Sequence, residues 1–279
     1  MEKKFKKIAV CLSGHMRTFC ETAEILKYDF LDRIAESYDF FIYTTRRKDW
    51  RYKRGDDRLP PLLSDREIEF LYQVYNPKRI IIDGKDFNSV SDHNLDNGRN
   101  RDSMLGRLKL ADMLRREYTQ KTGQRYDHVL RMRPDQLVLV PFLNIDQIQP
   151  DKLAILPYGR VHDGFSDTFA MGPENLMEIY SEVVDHVDKY SYLGTHQDCK
   201  IELVLIDYLK DRNVPVYFLE GLQLLIKRIN GEPFWFHDQP GSDHYFRSTG
   251  RVWDKNLKKF VECDTIKKTH KEIVELLKQ

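Results

Sequence analysis

The stretch Tyr126 to Val140, YDHVLRMRPDQLVLV, constrains the fold more than any other part of the chain. Val129, Leu130 and Met132 interleave with Arg131 and Arg133, and Pro134 and Asp135 follow directly. Proline restricts the residue before it and cannot donate to a ladder, so a buried strand should stop here. Asp135 then falls just beyond a strand's carboxyl end, the edge on which open α/β sheets bind ligands. One carboxylate beside two guanidiniums suits a metal-diphosphate, and it equally suits a structural Arg–Asp pair at a strand terminus. Along the strand Arg131 and Arg133 alternate with apolar positions, which predicts that both point to one face.

Upstream, short apolar runs alternate with helical spacing. Lys7 to Ser13 (KIAVCLS) reads as a strand ending at Gly14, and Thr18 to Ser37 carries apolar residues at helical intervals. Between them, Gly14 would let backbone N–H groups approach a phosphate while Arg17 neutralises it, although a plain βα turn with a surface arginine fits as well. The turn carries neither GxGxxG nor a Walker lysine. Tyr38 to Thr45 is a second strand, whose end at Thr44 shares an edge with Gly14 if the two run parallel. Arg46 to Arg58 holds seven basic and three acidic residues, a solvated loop or a lid over an anionic ligand. Ser64 and Glu67 form a capping box ahead of a helix to Tyr75, Lys78 to Asp83 is a third strand, and Asp102 to Tyr118 is a helix. Such alternation predicts βαβ units and a largely parallel sheet.

Beyond Asp135 the pattern changes. Strands are predicted at Lys152 to Leu156 and Thr168 to Met171, with His162 to Asp167 as a polar loop between them. Helices follow at Glu174 to Val187 and Asp198 to Lys210, the latter capped by Thr195. Val214 to Leu219 and Leu222 to Ile229 read as strands, Asn230 to Arg251 as a polar and aromatic cover containing His237 and His244, and Asp264 to Leu277 as a terminal amphipathic helix.

Charge excludes some functions. The 45 Lys and Arg nearly cancel the 44 Asp and Glu, so the chain has no general footprint for nucleic acid and must hold any polyanion locally. The four cysteines show no zinc spacing and fit reduced thiols, and no apolar run approaches a membrane span or a secretory h-region. The expectation is a cytoplasmic protein without a transmembrane segment.

Laid out this way, the chain resembles GT-A-type nucleotide-sugar glycosyltransferases, especially lipopolysaccharide and capsule transferase-like families in which R-x-R-P-D stands where others carry D-x-D. The matching pieces are AVCLSGHMRTF, YDHVLRMRPD, DGFSDTFAMGPENLMEIY and HQDCKIELVLIDYL before VPVYFL, in the expected order from Ile8 to Leu219. The resemblance implies a single GT-A-like (Rossmann-like) α/β domain, with a mainly parallel central sheet flanked by helices and an irregular C-terminal half. Residues 1–140 would form the nucleotide-binding half, 141–262 the acceptor side and 263–279 a C-terminal helix.

The implied activity is transfer of a sugar from a nucleotide-diphosphate donor to a glycan acceptor of lipopolysaccharide, capsule or glycoprotein type, with peripheral membrane association through a lipid-linked acceptor. Ser13, Gly14, Arg17, Thr44, Arg131, Arg133 and Asp135 would hold the nucleotide sugar, and Asp135 would bind Mn²⁺ or Mg²⁺. With Arg133 two positions before Asp135, the usual two-carboxylate clamp is missing, and the arginines could replace the cation. Asp163 and His196 fall on the acceptor side, and Asp198, Glu202 and Asp167 are the candidate catalytic acids and bases. Asp198 also suits a capping box, and Asp167 a strand start. The alternative is a transferase-like domain that binds nucleotide or glycan without turnover.

Overall fold

The computed structural model describes residues 4–48, 61–84, 97–140, 148–158, 164–190, 201–219, 223–227, 233–236, 251–254 and 259–262. Two short apolar strands begin it. β1 (Phe5–Ser13) is buried from Ile8 onward, and β2 (Ala35–Thr45) pairs parallel to it, Ile8 against Tyr38 and Ser13 against Tyr43. Between them α1 (Phe19–Glu24) runs into a π-helical stretch (Ile25–Leu31) and a last short turn, α2 (Asp32–Ile34). The helical path therefore ends at Ile34, three residues short of the Ser37 predicted from spacing, and β2 starts earlier than Tyr38.

α3 (Asp65–Tyr75) has the capping box expected of it: Glu67 N donates to Ser64 Oγ at 3.3 Å and Ser64 N to Glu67 Oε2 at 2.9 Å. β3 (Arg79–Asp83) adds parallel to β2, and α4 (Asn97–Thr122) returns the chain to β4 (His128–Met132), parallel to β1. α4 starts five residues before Asp102 and runs four beyond Tyr118.

After Pro134 the chain leaves this sheet. β5 (Gln136–Val140) pairs antiparallel with β9 (Gln223–Lys227), which pairs with β10 (Pro233–Phe236). The main sheet continues through β6 (Leu153–Tyr158), β7 (Gly164–Gly172) and β8 (Val216–Phe218), giving the order β3-β2-β1-β4-β7-β6-β8. Only β7 runs against its neighbours, so the sheet is mixed and mostly parallel, a Rossmann-like α/β arrangement. A helical path over Glu174–Tyr190 changes from α5 (Glu174–Ser181) to 3₁₀ (Glu182–His186) to α6 (Val187–Tyr190), and α7 (Ile201–Asp211) follows. β11 (Arg251–Asp254) and β12 (Lys259–Glu262) form a separate hairpin.

The pleat divides the core in two. Ile8, Val10, Leu12, Leu130 and Met132 face α1 and α3, while Ala9, Cys11, Phe41, Val129 and Ala170 face α4, α5 and α7. Among the described residues no helix is long and apolar enough to cross a membrane. The predicted terminal helix, His237, His244 and most of the basic loop after Lys48 lie outside the described residues, while within the predicted polar cover Pro233–Phe236 is a strand, β10, paired with β9.

Candidate functional site

β1 and β4 are adjacent and parallel; the chain leaves β1 toward β2 on one side and, after its excursion through β5, re-enters the sheet from β4 at β6 on the other. That is a topological switch point, where the carboxyl ends of the strands open a crevice. The end of β1 supplies Ser13 and a turn at Gly14, which has φ +128°. L side chains rarely adopt this conformation, which is why glycine is needed there. Thr44 Oγ1 donates to the Gly14 carbonyl at 2.8 Å, so this hydroxyl fixes the turn from inside. A Cβ on Gly14 would lie 3.8 Å from Pro134 Cδ, ordinary contact, so the difficulty of Gly14→Ala is confined to the backbone. Urea titration of Gly14→Ala should show a loss of about 1–3 kcal/mol of unfolding free energy.

The end of β4 supplies the arginine–aspartate turn. Thr22 Oγ1 anchors the Pro134 carbonyl at 2.6 Å, and Gln136 Oε1 accepts from Arg133 N at 2.8 Å. Asp135 is fully buried, with Oδ1 accepting from Arg133 Nε at 2.9 Å and Oδ2 from Arg133 Nη2 at 2.9 Å and Arg17 Nη1 at 2.7 Å. Burial alone would push this carboxyl up, yet Arg133 and Arg17 hold it well below the usual carboxylate range. A hard cation needs carboxylate oxygens turned toward it. Here both oxygens face guanidiniums, so the residues present do not fit a divalent cation at Asp135. Among the described residues no three His, Cys, Asp or Glu side chains are placed to hold a metal ion together.

Arg131 and Arg133 part company. The strand ends at Met132, so the pleat does not carry as far as Arg133, which folds back onto Asp135. Arg131 stays in the strand opposite Cys11 and Ala170, on the α4-facing side, at 2 % exposure. Its Nε and Nη1 have no hydrogen-bond partner among the described residues, and neither does the buried Tyr180 hydroxyl on α5.

β7 brings a third group to the same edge. Asp167 lies inside this strand and not in a loop as predicted, because residues from Gly164 onward pair with β6. The pairing passes from Ile155–Ala170 to Pro157–Phe165, so Ser166–Phe169 bulge out against Leu156 alone. Ser166 Oγ accepts from Thr168 N at 3.2 Å, and Asp167 is buried, with Arg131 and Tyr180 within electrostatic reach. Glu202 falls in the first turn of α7. Asp163, His196 and Asp198 lie outside the described residues.

Two further residues of this edge escape a strand-end reading. His15 sits in the β1 turn, its Nδ1 3.1 Å from the Arg47 carbonyl and its Nε2 3.1 Å from Arg107 Nη1. A carbonyl accepts and a guanidinium donates, so Nδ1 carries the proton and Nε2 accepts. Burial and then the Arg107 and Arg17 charges lower the His15 pKa well below its ordinary value, which keeps the ring neutral at pH 7. Arg107, from α4, is buried with its Nε unpartnered among the described residues.

The sequence matches no protein-family model, and comparison with curated proteins finds no relative. The reading of this crevice therefore rests on its own chemistry.

Proposed function

We propose that the chain is a glycosyltransferase that moves a sugar from a nucleotide-diphosphate donor to a glycan acceptor. The observation that carries this reading is the switch-point crevice: a positive-φ glycine turn after β1, with arginines from that turn, from β4 and its end, and from α4 at one sheet edge. A leaving diphosphate gathers negative charge as the anomeric C–O bond breaks, and fixed guanidiniums stabilise that charge without reorganising. The acceptor hydroxyl must lose a proton as it attacks. Asp167, re-aimed by the β7 bulge toward the same edge, is our first choice for that base, ahead of Glu202 and of Asp163, His196 and Asp198.

Gly14 and Thr44 shape the turn, Asp135 positions Arg17 and Arg133, and Ser13 and Arg131 face the donor. The acceptor is a glycan of lipopolysaccharide, capsule or glycoprotein type. Where it is lipid-linked, the protein works at a membrane surface from the cytoplasmic side.

Purified protein should bind one of a panel of UDP-, GDP-, TDP- and CMP-linked sugars and hydrolyse it slowly. Asp167→Asn should cut turnover by about 10²–10⁴-fold while donor affinity stays within several-fold. Tight donor binding with no turnover under any acceptor would favour a binding domain, and absence of binding across the panel would overturn the nucleotide-sugar reading.

A further inference from the structure

The α4-facing side of the crevice carries several buried donors without a partner among the described residues. By strand register Ser13, Cys11 and Tyr43 share that side, and Arg131 sits across from Cys11 on the adjoining strand. Parallel strands lie about 4.8 Å apart, so the ends of β1 and β4 present Ser13 and Arg131 as lateral neighbours one rung out of step. α4 packs over the same side through Leu105, Leu108 and Ala111, and delivers Arg107.

Ser13 is 3 %, Arg107 7 % and Arg131 2 % exposed. Ser13 Oγ, Arg107 Nε, and Arg131 Nε and Nη1 all lack hydrogen-bond partners among the described residues. Buried donors in native proteins are overwhelmingly satisfied, so a cluster of vacant ones calls for an acceptor that the described residues do not supply. Asp167 and Asp83 lie within electrostatic reach of Arg131 and Arg107 respectively. Arg17 and Arg133, meanwhile, are already committed to Asp135.

We propose that Ser13, Arg107 and Arg131 form a diphosphate seat that needs no divalent cation. The proposal rests on the nucleotide-sugar reading above and sharpens it: charge that a metal would otherwise provide comes from two buried guanidiniums, and the Ser13 hydroxyl donates between them. Arg107 is positioned by neutral His15, whose bare Nε2 accepts from Nη1 and leaves Nε for the ligand. A diphosphate offers acceptor oxygens on two adjacent centres, which matches donors arriving from a strand end, a neighbouring strand and a covering helix.

The test is calorimetric titration of the full chain with inorganic pyrophosphate, and with UDP and GDP, in EDTA and in Mn²⁺. Pyrophosphate should bind in EDTA, with affinity changed less than about threefold by Mn²⁺. Arg107→Gln and Arg131→Met should each weaken it by more than about tenfold, the size expected for a charge-assisted contact. Ser13→Ala, too small a change to threaten folding, should weaken it by about threefold to tenfold. Circular dichroism checks that each variant is folded.

Binding that appears only with Mn²⁺ would overturn the seat and leave the nucleotide-sugar reading standing. Pyrophosphate binding indifferent to all three substitutions would also overturn it. Donor hydrolysis without pyrophosphate binding would move the diphosphate elsewhere in the crevice, whereas absence of binding by pyrophosphate, UDP and GDP alike would remove both readings.

Discussion

Asp135→Ala should lower the unfolding free energy by about 3–5 kcal/mol at pH 7, the cost of breaking a buried ion pair from one side. The carboxylate is fully buried, and the side chains of Arg17 and Arg133 are only 6 % and 14 % exposed. Removing the acid leaves two guanidiniums with little water to replace it. Asp135→Asn should cost nearly as much, because an amide keeps one acceptor oxygen where three N–H groups now converge on two. Urea titration of both variants reads this directly, and a loss under about 1 kcal/mol for either would show that the turn is held by its other bonds, from Thr22 and Gln136.

The pH dependence has a definite sign. The folded-state pKa of Asp135 lies below the ordinary carboxylate value, because Arg133 and Arg17 outweigh a burial effect that acts upward. A depressed folded pKa contributes stability that is fully present above the unfolded value of about 3.9 and is lost as pH falls through that value toward the folded one. The gap between wild type and Asp135→Asn should therefore be constant from about pH 6 to 8 and narrow below about pH 4. A gap that widens in acid would mean that the carboxylate is not held ionised by its neighbours.

Much of the first half was legible because local rules and tertiary structure agree there. Pro134 ends its strand, the Ser64–Glu67 box opens its helix, and Gly14 makes a turn that only glycine adopts easily. Asp135 shows the limit. Both a ligand-binding carboxylate and an Arg–Asp pair fitted the same four letters, and only the partner across 118 residues, Arg17, separates them.

Arg107 was missed for a different reason. Arg107, Ala111 and Arg115 recur every four residues along the inward stripe of α4, so two arginines interrupt an apolar face. Attending to the charged members of that stripe would have flagged both, but not what each meets. Asp167 was misplaced because a β-bulge leaves no periodic trace: Ser166–Phe169 add residues to one strand, and alternation breaks where the bulge sits.

The second arginine of that stripe has the other large expected effect. Arg115 is fully buried and donates from Nε to Asp112 at 2.7 Å, from Nη1 to Glu174 at 3.0 Å and from Nη2 to Glu178 at 3.1 Å. Burial acts to lower its pKa, but Asp112 and the other acids overcome this and raise it above the ordinary arginine value. Glu174 also accepts from Tyr126 N at 2.8 Å, so the guanidinium ties α4 both to the start of α5 and to the approach of β4. Arg115→Met should cost about 3–5 kcal/mol, since it takes the most buried cation from Asp112 and Glu174 and leaves them only the more exposed Arg116 and Arg125, at 2.9 and 3.9 Å. Arg115→Lys should recover only part, because an ammonium cannot serve three carboxylates in a planar fork.

A double-mutant cycle with Asp112→Leu should show coupling of about 0.5–3 kcal/mol, whereas simple additivity would mean that Arg115 acts through packing alone. Eight residues separate Arg115 from Arg107, about 12 Å along one continuous helix. The cluster that docks α4 on α5 thereby sets the height at which Arg107 meets the crevice. In Arg115→Met, stability measured by urea and pyrophosphate affinity measured by titration should fall together, while Arg107→Gln should lower affinity with a much smaller change in unfolding.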